Sequence, residues 1–148
     1  MSEVSIVGGH HTPFGRFIER NRETGEVKDN KSYYQLIVDA GRGALADTGI
    51  SPDEIDAVYL GTCSPGLFLD QEHAAAVAVD VDPAFRFKPM SRLEGACASS
   101  SVALYDAVYA VESGRYETVM VIGAEKMTLL DTPGVTHALA CCSYYPEE

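Results

Sequence analysis

Residues 118–124 (TVMVIGA) carry no charge and almost no polarity, the pattern of a strand covered on both faces in a parallel sheet. Parallel neighbours need crossover connections of roughly a dozen residues or more, usually helical. The rest of the chain offers them. Residues 57–60 (AVYL) and 87–93 read as two further strands, and residues 3–8 (EVSIVG) as a buried first strand stopped by Gly8-Gly9. A helix is expected from Ser32 to about Asp47, because Ser32 and Gln35 have the spacing of a capping box and Gly49 follows as a stop. Ser51-Pro52-Asp53-Glu54 is a second capping box, opening a short helical turn. Asp70 is placed as the cap of an Ala/Val helix running through Val79, and a small-residue helix is expected over 98–113 with Gly114 as its end. Residues 10–31 and 61–69 read as loops. Strands alternating with helices give an α/β layered domain, a mixed but mostly parallel sheet with helices on both faces. Residues 127–148, with two prolines, a glycine and an acidic end, close no βα unit and read as the start of an incomplete loop region.

Composition narrows the function. The chain has 148 residues, which suits one domain with a genuine core. It carries 11 basic against 22 acidic residues, a net charge of −11, and its densest basic cluster (Arg16, Arg20, Arg22) is diluted by Glu19 and Glu23. Nucleic acid is therefore not an expected partner. The longest purely apolar stretch, 74–79, has six residues, against roughly 20 for a membrane span, and the first nine residues lack a basic and apolar leader pattern. No membrane association and a cytoplasmic location are expected. The four cysteines (Cys63, Cys97, Cys141, Cys142) show no C-x-x-C spacing, so neither a disulfide framework nor a cysteine metal site is expected. His10 and His11 are adjacent, which makes a poor metal pair, and no metal is expected.

The chemistry concentrates in residues 92–101 (RLEGACASSS), which put Cys97 between a strand and a helix among small neighbours. The free N–H groups and positive end of a helix stabilise a thiolate. Gly95, Ala96, Ala98 and Ser99 leave room for a carbonyl to reach the sulfur. This is the logic of a nucleophile elbow with sulfur in place of oxygen. Free cysteines are also common as small buried hydrophobes, and residue spacing alone leaves both readings open. A nucleophile needs a base, and none of His10, His11, His73 and His137 has an obvious claim to that role. The helix carrying Val102, Ala103, Ala107, Val108, Ala110 and Val111 is expected to be buried. Gly41-Arg42-Gly43-Ala44-Leu45-Ala46 matches a dinucleotide fingerprint but falls inside a helix, which argues against cofactor binding. Tyr105 and Tyr109 read as packing residues, His73 as a satisfied or solvated histidine, and Glu125 with Lys126 as a surface ion pair.

Three segments together point to a family: His11-Thr12-Pro13-Phe14-Gly15-Arg16-Phe17, Glu94-Gly95-Ala96-Cys97-Ala98-Ser99-Ser100, and Gly123-Ala124-Glu125-Lys126-Met127-Thr128. In order and spacing the chain resembles the amino-terminal half of thiolases, most of all the sterol-carrier-protein type and related acetyl-CoA acetyltransferases. The resemblance implies one half of a thiolase-like layered fold over residues 1–148. It implies that Cys97 takes the acyl group from an acyl-coenzyme A thioester, with its own N–H contributing to an oxyanion hole. It also implies that Gly95, Ala96, Ala98, Ser99 and Met127 border the substrate. Coenzyme A enters as part of the substrate, and no separate cofactor is implied. The strand over 87–93 resembles the segment that pairs across the family's dimer axis.

The family's second half carries a Gly-His-Pro histidine, an acid/base cysteine near Cys-x-Gly, and most coenzyme A contacts, and none of these motifs occurs in this chain. Cys141-Cys142 lacks the glycine. The expectation is a transferase of lipid metabolism in which this chain supplies the nucleophile and a complementary chain supplies the base, as a natural split subunit or a truncated product. The product would be a dimer or hetero-oligomer. The rival expectation is an inactive scaffold or interaction subunit that keeps the fold without turnover, and a third is a chain complete as a homodimer.

Overall fold

The computed structural model describes residues 3–147. Its centre is a three-stranded parallel sheet of β3 (Ala57–Gly61), β4 (Met90–Leu93) and β5 (Val119–Gly123), in the order β4-β3-β5. Two short strands precede it, β1 (Ile18–Arg20) and β2 (Val27–Asp29), paired as an antiparallel hairpin. Among the described residues the α-helices are α1 (Tyr33–Thr48), α2 (Pro65–Leu69), α3 (Ser99–Glu112) and α4 (Thr132–Ala140). Among the described residues no helix is long and apolar enough to cross a membrane.

The two sides of the sheet are covered unequally. Val58, Leu60, Met120 and Ile122 join Tyr33 and Ile37 of α1, Ala74, Ala75 and Ala78 of the 3-10 segment Ala74–Asp80, and Phe85 in one buried cluster. The close approach depends on Gly41: a Cβ there would lie 2.6 Å from Val81 Cγ2. The glycine of the would-be dinucleotide fingerprint is thus a packing residue in the middle of a helix. The other side of the sheet is covered by α3, whose buried residues are Ser99, Ala103 and Ala107. Leu104, Tyr105 and Tyr109 of the same helix are exposed. The expectation that α3 is buried, and its tyrosines packed, is corrected: α3 has a sheet on one side and solvent on the other. For the same reason β5 alternates, with Met120 and Ile122 buried and Val119 and Val121 only half-buried.

Local signals at helix starts hold well. Ser32 accepts the Gln35 N–H while the Gln35 side chain accepts the Ser32 N–H, and Gly49 closes α1 in the left-handed region at φ 68°. Ser51 and Glu54 form the second box. Other expectations give way. Residues 3–8 form no strand: Ile6 and Val7 are exposed, and a 200 Å³ gap separates Val7–His10 from β5. The Gly9 N–H instead donates to the Asp47 carboxylate at 3.0 Å, tethering the segment to the end of α1. Residues 10–31 contain the β1–β2 hairpin, whose three-residue strands are too short to show a period. Asp70 caps no helix N-terminus; it ends α2 in the left-handed region at φ 55°, and the Ala/Val segment is 3-10 rather than α. Residues 127–148 are not simply loop, since Asp131 accepts the Gly134 N–H and caps α4, with Pro133 in its first turn.

Candidate active site

β3 and β5 end side by side at Gly61 and Gly123, which are register partners, and the first turn of α3 sits on both. A Cβ on Gly61 would lie 2.5 Å from Ser100 Cα and 2.6 Å from its backbone nitrogen. The absence of a side chain on the central strand therefore sets how closely the start of α3 approaches the carboxyl end of the sheet, where open α/β sheets hold their ligands.

The turn before α3 is a 3-10 segment, Ala96–Ala98, with Cys97 at its centre. Ala96 lies at φ 48°, a conformation that costs a residue with a side chain of order 1–3 kcal/mol. The turn is held from inside. Ser99 is buried; its hydroxyl donates to the Ala96 carbonyl at 2.7 Å and accepts the Gly95 N–H at 3.0 Å, and the Ala98 N–H donates to the Gly95 carbonyl at 2.9 Å. The result is an exposed Cys97 on a braced turn, so the alternative of a buried structural cysteine does not describe it.

Cys97 lines a cavity of about 340 Å³ with Ala96, Ser99, Ser100, Met127, Thr62, Cys63, Phe68, Glu125, Leu139 and Cys142 among its walls. Four of the residues singled out in the sequence (Ala96, Cys97, Ser99, Met127) are brought together there. Gly95 and Ala98 are not. Gly95 packs instead beneath the turn, where a Cβ would meet Val102 Cγ2 at 2.8 Å, and Ala98 faces solvent. Among the described residues no histidine lines this cavity, and no three His, Cys, Asp or Glu side chains group in a way that holds a metal. His10 and His11 line a separate cavity of about 340 Å³ that shares Gly123, Ala124, Glu125 and Met127 with the first.

Glu125 and Lys126 are not the surface ion pair expected. Lys126 is buried, paired with Asp29 of β2 and donating to the Lys31 carbonyl, which fastens the hairpin to the end of β5. The Glu125 side chain turns the other way and accepts the Cys63 N–H at 2.6 Å and the Thr62 hydroxyl at 3.4 Å. Thr62 in turn accepts from the Tyr33 hydroxyl at 2.8 Å, and burial pushes that phenol up to about 12. Partial burial of the Glu125 carboxylate raises its pKa above the usual carboxylate range, against the lowering effect of the Cys63 and Thr62 hydrogen bonds.

A carboxyl with a raised native pKa binds its proton more tightly folded than unfolded, so its contribution favours the native state at low pH and fades as pH rises through the folded value. The folded protein should lose stability across that window, modestly, because the side chain is open to solvent on the cavity side. Glu125→Gln keeps an acceptor for the Cys63 N–H without the titration. Urea midpoints measured at pH 5 and pH 8 should therefore differ less in the variant than in the parent; equal differences would remove Glu125 as the cause.

Position after a strand end would have marked Thr62, Cys63 and Glu125 in the sequence. Leu139 and Cys142 carried no such signal, because they reach the cavity only through α4.

Residues 4–145 match the family model of the thiolase N-terminal domain. The chain is 36% identical over 143 residues to an acetyl-CoA acetyltransferase of Methanothermobacter thermautotrophicus, covering 97% of this chain and 34% of that protein. It is 39% identical to the acetyl-CoA acetyltransferase of Methanocaldococcus jannaschii, covering 97% and 33%. A β-ketoacyl-[acyl-carrier-protein] synthase III of Chlorobaculum tepidum is 32% identical over 124 residues, covering 82% and 36%. Among solved structures, the tetronic acid condensing enzyme AbyA1 superposes with a TM-score of 0.59 at 26% identity, over 74% of this chain and 34% of that one. The chain thus spans about a third of the length of the curated relatives it matches. With its parallel sheet, its α3 start seated on paired glycines, and this match over nearly all its residues, the chain belongs to the thiolase family as an N-terminal domain.

Proposed function

We propose that this chain is the nucleophile-bearing part of a thiolase-like acyl-CoA C-acyltransferase, working with a complementary chain or segment that carries the acid/base groups. The observation that supports it is the exposed Cys97 on a braced turn at the start of α3, opening onto a cavity at the carboxyl end of a thiolase-type sheet. In this reading Cys97 attacks the thioester carbonyl, a carbon–sulfur bond forms, and the coenzyme thiolate departs with the proton Cys97 gave up. The Cys97 N–H holds charge on the thioester oxygen during the attack. A second acyl-CoA carbanion then takes the acyl group in a Claisen condensation, or coenzyme A takes it in the thiolytic direction. Ala96, Ser99 and Met127 border the acyl group. Gly95 and Ala98 act one step back, by shaping the turn.

The proton transfers need a base, and the cavity contains no histidine among the described residues. The base is therefore proposed to come from the complementary part, which would also cover the apolar Leu104, Tyr105 and Tyr109 on the outer side of α3. β4, at the edge of the sheet, is proposed as the strand that pairs between copies.

Brief iodoacetamide labelling with and without acetyl-CoA tests the nucleophile. Cys97 is exposed, Cys63 is buried, and Cys142 is pushed up to about 11 chiefly by its contact with Cys63. Cys97 should therefore be alkylated before both, and acetyl-CoA should protect it by acylating it, adding an acetyl mass to the peptide of residues 93–115. Faster labelling of Cys141 or Cys142, or no protection, would remove Cys97 from the proposed role.

A further inference from the structure

Two more sulfurs meet in the cavity that Cys97 lines. Cys63, two residues beyond the end of β3, and Cys142, just beyond α4, have their Sγ atoms 3.3 Å apart although 79 residues separate them in sequence. Cys63 is fixed from both sides of its backbone: its N–H donates to Glu125 at 2.6 Å, and its carbonyl accepts from Arg92 at 2.6 Å. Cys142 lies in the turn after α4, exposed, and besides the Cys63 sulfur its thiol approaches the Ala138 carbonyl of the last helical turn at 3.9 Å. One partner is anchored and the other is on a short exposed turn, so a small movement of the second brings the sulfurs to bonding distance.

We propose that Cys63 and Cys142 form a reversible thiol–disulfide site whose co-reactant is a small disulfide of the glutathione class. Cys142, the exposed member, gives up its proton and attacks one sulfur of the reagent disulfide. The reagent S–S bond breaks, and one reagent thiolate leaves and takes that proton. Cys63 then loses its proton and attacks the Cys142 sulfur of the mixed disulfide, forming the Cys63–Cys142 bond and expelling the second reagent thiol. Two protein thiols are oxidised by two electrons in total, and one reagent disulfide is reduced to two thiols. Contact with Cys63 first, and burial second, hold the Cys142 proton in place, with the charges of Cys63, Glu94 and Cys97 acting in the same direction. Cys142 accordingly rests as a protonated thiol, and its attack on the reagent disulfide is slow near neutrality. The site rests on the fold and the sulfur geometry and is independent of acyl transfer by Cys97.

The reduced chain, equilibrated with mixtures of reduced and oxidised glutathione, quenched with N-ethylmaleimide and digested with trypsin, reads the pairing directly. Residues 43–86 hold Cys63, residues 93–115 hold Cys97, and residues 127–148 hold Cys141 and Cys142. The native chain should yield the cross-link between 43–86 and 127–148 about tenfold over all other pairings together, as expected when folding supplies a high local concentration of one thiol at the other. The link should survive Cys141→Ser and Cys97→Ala, disappear in Cys142→Ser, and fall to parity with other pairings in concentrated urea. A dominant link between Cys97 and Cys142, glutathione adducts that never close, or disulfides between chains would overturn the proposal. Cys97→Ala separates it from the acyl-transfer reading, because that variant loses acetyl labelling while keeping the disulfide.

Discussion

Gly61→Ala should destabilise the chain by about 3 kcal/mol, the upper part of the range for forcing an extra methyl into a packed interior. The clash is with backbone: the new Cβ would lie within 2.6 Å of both Ser100 Cα and its nitrogen, and no side-chain rotation relieves it. Gly61 sits on the central strand, so β3 and α3 must separate, carrying the Cys97 turn away from its cavity. Gly123→Ala is the control. Its Cβ meets the Ser100 side chain, whose hydroxyl can rotate aside, so the loss should be below about 1 kcal/mol and should largely vanish in Gly123→Ala with Ser100→Ala. Urea unfolding of the four proteins measures this, and the rate of Cys97 alkylation follows the same order if α3 moves as described. Equal midpoints for Gly61→Ala and Gly123→Ala would mean that α3 is not seated on the sheet by its glycines.

That pair of glycines shows where sequence reading stops. Residues 118–124 announced a strand, and Ser32, Gln35 and Gly49 announced a helix, because strand burial and helix capping leave local patterns. Nothing local said that Gly61 and Gly123 are neighbours, since their pairing is a matter of register between strands 62 residues apart. The same limit explains the site. Cys97 was legible because a cysteine among small residues before a helix is a local arrangement. The cavity around it is built from three strand ends and from α4, so Cys63 and Glu125 carry only the signal of a strand end, and Cys142 and the meeting of all three with Cys97 emerge only from topology. The residues that misled did so through a missing neighbour. An apolar segment at 3–8 looks like a strand, but a strand requires a partner edge, and the Gly9 tether to Asp47 leaves that segment a gap away from β5. The apolar character of α3 likewise predicted burial on all sides, whereas one side faces solvent. Leu104, Tyr105 and Tyr109 are the residues a complementary part would cover.

Thiolysis of a 3-ketoacyl-CoA by the chain alone should fall about 10⁴–10⁸-fold below that of the chain mixed with a complementary thiolase half, since acid–base groups contribute ~10²–10⁴-fold each and two are lacking. The helix start and the Cys97 N–H remain, so a single slow acylation of Cys97 should still be detectable by mass when turnover is not. Native mass should rise on mixing as the exposed side of α3 is covered, and with it the cleavage rate. The combination discriminates among the readings. Acylation without turnover, restored by the second half, is the expected result for a nucleophile-bearing part. No acylation under either condition would favour a scaffold that keeps the fold and has lost the chemistry. Full turnover from the lone chain would instead require a base within it, and His10 and His11 would be the first to replace, because their cavity adjoins that of Cys97 through Glu125 and Met127. A loss of rate in His10→Ala or His11→Ala, with Cys97 acylation slowed in proportion, would then place the acid–base chemistry on the segment after residue 9 and end the split-enzyme reading.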